Sequence, residues 1–143
     1  MKLIQKLISA FIVFVAAIFF VVSMGAFFAP DMVMNYLQVE PVGAGAYNSI
    51  RSIYGGLNLV FALFLAYTAV NMRKTGLGFI ALYMSGFLIG RLFSFVATGV
   101  PNNFIINWTV IELGLLVASV LLLRGIIKIQ KEQAKPASVS TWN

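Results

Sequence analysis

Three charged side chains lie inside long apolar stretches of the sequence, where a charge is costly. Arg51, Arg91 and Glu112 are the only charged residues within segments 47–71, 76–97 and 104–123. An ionised side chain at the centre of a bilayer costs roughly 2.5–3.5 kcal/mol on insertion scales, so such residues usually face a protein interior and find partners. These three residues are therefore the first candidates for chemistry.

Arg91 and Glu112 are predicted to form a buried ion pair. With a rise of about 1.5 Å per residue, Arg91 lies about 9 Å before the end of segment 76–97, and Glu112 lies about 12 Å after the start of segment 104–123. These two segment ends are joined by one short loop. Side chains tilt toward the N-terminus of their own helix, and the two helices run in opposite directions. The two side chains should therefore lean toward each other, whereas a lone Glu112 would have to be hydrogen-bonded or protonated.

Arg51 remains without an obvious partner and is a candidate ligand-binding residue. Asn48 precedes Arg51 at helical spacing, and Tyr54 and Asn58 follow it. A guanidinium without a counter-charge, beside amide and phenol groups, suits an anionic or carbonyl-bearing ligand such as a lipid headgroup, a quinone or a small carboxylate. Two alternatives are open. Arg51 could extend to the headgroups without a partner, or it could fix the register of the helices.

The elements that position these residues are predicted to be membrane-spanning helices. The 143-residue chain is 61% hydrophobic and 10% charged, against about 25% charged in soluble domains. About 20 apolar residues cross a bilayer, and the apolar runs cover residues 7–28, 47–71, 76–97 and 104–123. The expected fold is a single all-α domain, a four-transmembrane-helix bundle of two successive hairpins. The first run is too long for the core of a signal peptide, although cleavage near residues 23–25 is the alternative.

The connections between these spans differ in charge. Eight of the ten Lys and Arg residues lie at the N-terminus, between the second and third spans, or in the basic tail 124–143, and none lies in the other two loops. The positive-inside rule then places both termini in the cytoplasm of a multi-pass protein of the bacterial cytoplasmic membrane. Basic residues distributed in this way are membrane anchors, so nucleic acid is not an expected partner. In the loop from Pro30 to Gly45, part of the chain is expected to lie in the interface as a short helix.

Small residues predict close helix packing at two places. Gly86, Gly90, Ser94 and Thr98 recur every four residues, and Gly86-x-x-x-Gly90 is a packing motif of membrane helices. Such a row usually admits a neighbouring backbone within the bundle, and less often joins two subunits. The pair Gly55-Gly56 offers a second close approach, and the only candidate break in a helix.

Several of these residues together carry a resemblance to a known family. The residues concerned are Arg51-x-x-Tyr54-Gly55-Gly56, Gly90-Arg91, Gly99-x-Pro101 and Glu112. With this pattern the chain resembles, over nearly its whole length, a family of small four-helix bacterial membrane proteins described as domain of unknown function 4345. The resemblance implies a fold and no activity. More distantly, the chain resembles the four-helix membrane proteins of the DoxX type, but no redox residue supports that role.

Enzymatic function is not expected from this composition. The sequence has no Cys and no His and only four carboxylates, which leaves no metal-ligand spacing, no nucleophile–base set and no pair of carboxylates within the spans. No cofactor is expected either. The predicted function is that of a non-catalytic accessory subunit or scaffold, with a larger membrane complex or a second copy of the chain as partner. The alternative is a binder or carrier of a lipid, quinone or carboxylate.

Overall fold

The structure is a helical bundle without strands in its described part. The computed structural model describes residues 2–133, with the side chains of residues 3–131. The elements are α1 (Lys2–Phe28), α2 (Pro30–Tyr36), α3 (Gly43–Ile50), a π-helical segment (Arg51–Leu57), α4 (Asn58–Asn71), α5 (Arg73–Thr98) and α6 (Asn103–Gln133).

Within residues 2–133, four helices are long and apolar enough to cross a membrane. They are Leu3–Phe28, Gly43–Asn71, Arg73–Thr98 and Asn103–Lys131, and the second consists of α3, the π-helical segment and α4 in one continuous run. Length and composition therefore fit a multi-pass membrane protein, in which the exposed surface of a span faces lipid. The orientation of the termini stays a prediction.

The helices extend beyond the predicted apolar runs. α5 already begins at Arg73, because the single residue Met72, with φ −142° and ψ 56°, reverses the chain after α4. α6 continues to Gln133, so the helix extends ten residues into the predicted basic tail 124–143. Lys, Arg, Gln and Glu favour helix, and no Gly or Pro follows Gly125 before Pro136 to stop it. Residues 134–143 lie outside the described residues.

The helices pair as two hairpins. α1 packs along the π-helical segment and α4, and α5 packs along α6. We call the end of the bundle at which α2 lies the α2 end. The main core contains residues three or four apart on facing helices: Ile8, Ile12, Val15, Ala16, Phe19, Ala62, Leu65, Ala69, Leu77, Ile80, Met84 and Leu115. In lipid this core is held together by van der Waals packing.

The short helix α2 links the two hairpins at the α2 end. Pro30 occupies the start of α2, where its missing N–H costs nothing. The ring of Tyr36 stacks on Phe104 of α6 with centroids 4.9 Å apart, and Asn102 Nδ2 donates a hydrogen bond to the Tyr36 carbonyl at 3.2 Å. α2 is thus the predicted short helix, and it bridges the two hairpins; its position in the membrane interface stays a prediction.

Candidate functional site

A cavity of about 820 Å³ lies between the two hairpins. All four spans contribute to its wall, and most of the lining side chains are apolar. Its origin is visible on α5, where the buried residues are confined to the first half of the helix, from Gly76 to Met84. Beyond Met84, α5 no longer packs into the main core, so the hairpins diverge toward the α2 end.

Arg91 and Glu112 form an ion pair in the cavity wall. Arg91 Nε donates to Glu112 Oε2 and Arg91 Nη2 donates to Glu112 Oε1, both at 2.6 Å. The side chains are only 16% and 11% exposed. Two parallel hydrogen bonds between charged groups give this contact a fixed geometry. The two residues predicted to converge are therefore adjacent, and their charges balance.

Further polar groups reach the cavity without partners in the described part of the chain. Tyr54, Tyr83 and Trp108 line the cavity, and their hydroxyl and indole N–H groups make no hydrogen bond to another described residue. Arg91 has five N–H donors and uses two on Glu112. No buried polar atom is left unpartnered among the described residues that are not exposed, so the unpaired polar atoms of the half-buried Tyr83 and Trp108 are accessible.

The π-helical segment positions Tyr54 and Asn58. A π-helix shifts its backbone hydrogen bonds away from the α-helical spacing. Here the Gly55 carbonyl accepts the backbone N–H of Asn58, and side chains add further hydrogen bonds to the carbonyls of the segment. The Asn58 Nδ2 group donates to the Tyr54 carbonyl, and the Ser23 hydroxyl of α1 donates to the Gly55 carbonyl, both at 2.8 Å. Backbone groups freed by an irregular helix in a membrane must be satisfied in this way. Ser23 therefore helps to hold the irregular turn.

Arg51 and Asn48 do not belong to this cavity, so the predicted group of four ligand-binding residues is divided. Tyr54 and Asn58 line the cavity, whereas Arg51 and Asn48 line a separate surface pocket. The π-helical segment contains more residues per turn than an α-helix, so residues 51 and 54 point in more divergent directions than α-helical spacing predicts. The surplus cation that favoured an anionic ligand is therefore absent from the cavity.

The glycines pack differently from their predicted roles. A Cβ placed on Gly86 or Gly90 would meet nothing within 4 Å, because both glycines line the cavity. Ser94 also lines the cavity, and its hydroxyl lies 3.2 Å from that of Thr98. The prediction of close packing is wrong for Gly86 and Gly90 within the chain.

Gly55 and Gly56 also differ from each other. A Cβ on Gly55 would lie 2.9 Å from the Phe27 ring, so the backbone at Gly55 packs closely against the side chain of Phe27. At Gly56 the nearest atom would be 3.9 Å away, which is ordinary contact.

Sequence reasoning missed three important positions. Tyr83 belongs to an aromatic cluster, in which its ring centroid lies 5.2 Å from that of Phe19 and 4.8 Å from that of Phe61. Tyr83 also lines the cavity. Trp108 lines the cavity one turn before Glu112, a spacing that could have indicated it. Gly76 of α5 is the glycine with the least space for a side chain, since a Cβ there would lie 2.5 Å from the hydroxyl oxygen of Thr68 on α4.

The cavity has the composition of a binding site for a lipophilic molecule. Ligand sites are typically about 300–1,000 Å³, largely apolar, with a few converging polar groups. In the described residues no three Asp or Glu side chains lie close enough to hold a metal ion. The available groups are mainly hydrogen-bond donors with no net charge, which suits an uncharged acceptor such as a carbonyl oxygen.

The comparisons with known proteins bear on the family. No curated protein and no solved structure matches the chain. The more distant resemblance to DoxX-type proteins is not tested by these comparisons and stays a prediction. One family model, described as Domain of unknown function (DUF4345), matches residues 7–123, which include the second and third spans, most of the first and the fourth, the ion pair and the π-helical segment. The chain therefore belongs to the DUF4345 family of proteins.

Proposed function

We propose that the chain is a non-catalytic membrane protein that binds a lipophilic molecule with a carbonyl or similar hydrogen-bond acceptor. The observation that supports this proposal is that Tyr54, Tyr83, Trp108 and Arg91, which have donors without a partner among the described residues, all line one largely apolar cavity of about 820 Å³. A quinone or the ester region of a lipid has the required chemistry. A small free carboxylate is less suitable because Glu112 already neutralises Arg91.

Binding in this cavity follows from the low dielectric around it. A hydrogen bond in such surroundings is stronger than in water, so binding is stabilised when a ligand carbonyl accepts a hydrogen bond from Arg91, Tyr54 or Tyr83. The ion pair stays intact because two donors of Arg91 remain on Glu112. The apolar part of the ligand contacts the remaining wall, including Phe87 and Leu115.

The test uses Trp108 as a reporter of the cavity. The sequence has two tryptophans, so Trp142→Phe leaves Trp108 alone. Titration of this variant in detergent with decylubiquinone, whose quinone ring quenches indole fluorescence, should give saturable quenching. Mass spectrometry of the natively purified protein should show a co-purified lipophile.

A cavity-filling substitution separates specific binding from partition into the detergent. Gly90 lines the cavity, and a Cβ there meets nothing within 4 Å, so the side chain of Gly90→Leu should enter the cavity and abolish saturation. Gly114→Leu is the matched control, because Gly114 is equally open but lies outside the cavity. Equal quenching in all three proteins would contradict the proposal.

The second candidate is an accessory subunit or scaffold of a larger membrane complex. Its supporting observation is that Gly86 and Gly90 form a small-residue row uncovered by the chain itself, and such rows pack against helices in membranes. The partner would be a helix of another membrane protein or of a second copy. A stoichiometric protein in the purified material, displaced by Gly90→Leu, would favour this candidate over the ligand binder.

A further inference from the structure

We infer that Arg51, Asn48 and Ser52 form a second site, which binds the phosphate group of an anionic phospholipid. They line a surface pocket of about 440 Å³ together with Phe27, Ala44 and Gly56. None of these residues lines the cavity between the hairpins. The inference is therefore independent of the proposed function.

The positive charge of Arg51 is not neutralised by a carboxylate. Within the described residues the only ion pair is Arg91–Glu112. Arg51 Nε donates to the Phe27 carbonyl at 3.3 Å, and its guanidinium carbon lies 5.7 Å from the centroid of the Tyr47 ring. Asp31 accepts a hydrogen bond from the Tyr47 hydroxyl at 2.6 Å and is not within ion-pair distance of Arg51. These contacts orient the guanidinium and leave its four terminal N–H donors available.

Two neutral donors flank the guanidinium. Asn48 precedes Arg51 by about one turn, Ser52 follows it directly, and both line the same pocket. Neither side chain makes a hydrogen bond to another described residue. An amide, a hydroxyl and a planar guanidinium on one surface match the several oxygens of a phosphate, which arginine binds through two parallel hydrogen bonds.

The depth of Arg51 in the span favours a lipid headgroup. The span Gly43–Asn71 has its midpoint at Leu57, so Arg51 lies at most about 9 Å from the midpoint, against about 15 Å for half the hydrocarbon thickness. Its side chain leans toward the helix N-terminus, which is at the α2 end. The long aliphatic stem then carries the guanidinium to the level where phosphates of the bilayer begin.

The experiment measures lipid retention by native mass spectrometry. The full-length chain is released from nanodiscs of phosphatidylcholine with a minor fraction of phosphatidylglycerol, and bound lipids are counted. The wild-type protein should retain one phosphatidylglycerol, and Arg51→Gln should weaken this retention about tenfold or more, because hydrogen bonds between charged groups are lost. Arg124→Gln, the same change on the exposed part of α6, should have no effect.

Further arms identify the source of the phosphate and guard against misfolding. Asn48→Ala with Ser52→Ala keeps the Arg51 anchor and should weaken retention without changing thermal stability. Diacylglycerol, which lacks phosphate, should not be retained, whereas competition by glycerol phosphate would assign the site to soluble phosphate esters as well. Gly90→Leu should leave retention unchanged, so failure of the cavity proposal and of this one are distinguishable. Equal losses in Arg51→Gln and Arg124→Gln, or no loss in either, would overturn the inference.

Discussion

Removal of one partner of the Arg91–Glu112 pair should destabilise the bundle far more than removal of both. Glu112→Leu leaves the Arg91 guanidinium without a counter-charge, and Arg91→Met does the same to the carboxylate. Breaking a buried pair costs about 3–5 kcal/mol. The side chains are 16% and 11% exposed and line a cavity, so we expect the lower limit, about 3 kcal/mol for each single variant.

The double variant should regain most of this loss. Replacing a buried ion pair by apolar residues of similar volume is often neutral, so Arg91→Met with Glu112→Leu should cost about 1 kcal/mol or less. The sum of the single losses is about 6 kcal/mol, which gives a coupling of about 5 kcal/mol. Exchanging the two charges should likewise do less harm than either single change.

The assay is equilibrium unfolding in mixed dodecyl maltoside and SDS micelles, followed by circular dichroism and Trp108 fluorescence. Arg51→Gln combined with Glu112→Leu is the control cycle, because Arg51 and Glu112 line different pockets and should be additive. If the single losses at Arg91 and Glu112 also add within about 0.5 kcal/mol, the two residues are independent and the reasoning fails.

Three further predictions concern packing, topology and the irregular helix. Gly76→Ala should lower the free energy of unfolding by about 1–3 kcal/mol, because its Cβ would lie 2.5 Å from a threonine hydroxyl of α4; Gly78→Ala, which meets nothing within 4 Å, should be neutral or stabilising in the same unfolding assay. In intact cells, an impermeant maleimide should label Val42→Cys and leave Thr75→Cys unlabelled, and labelling of both from one side would contradict four spans. Ser23→Ala should cost about 1 kcal/mol in thermal or SDS unfolding, since it removes the hydrogen bond that α1 donates to the π-helical segment; an unchanged stability would show that the segment does not need it.

Much of the fold could be predicted because a bilayer imposes simple rules on a chain. Every backbone polar group in lipid must be satisfied within the chain, so the long apolar runs could only be helices. Pro30 marked the end of α1 correctly. The start of α5 and the end of α6 were less predictable, because Arg73 and the residues after Leu123 are good helix formers outside the apolar runs, and hydropathy does not register a helix that continues beyond an apolar run.

The candidate site was predictable only in part. Arg91 and Glu112 could be brought together from the sequence, since two antiparallel neighbours and the tilt of the Cβ atoms determine which residues at matching depth converge. Arg51 could not be placed correctly, because an α-helical spacing was assumed across residues 51–58 and the structure has a π-helical segment at Arg51–Leu57. The Gly55-Gly56 pair indicated an irregularity without giving its form.

The sequence by itself determined the number of spans, their helical form and the charged residues that need partners, because these depend on the composition of each segment and on the solvent around it. The tertiary structure alone decided that the hairpins diverge beyond Met84, that Gly86 and Gly90 face a cavity, and that Arg51 lies on a different surface from Tyr54. These features depend on the angle between packed helices and on the local winding of one helix. Both are set by contacts between distant residues, such as Gly76 with Thr68 and Ser23 with Gly55, which no single segment of the sequence contains.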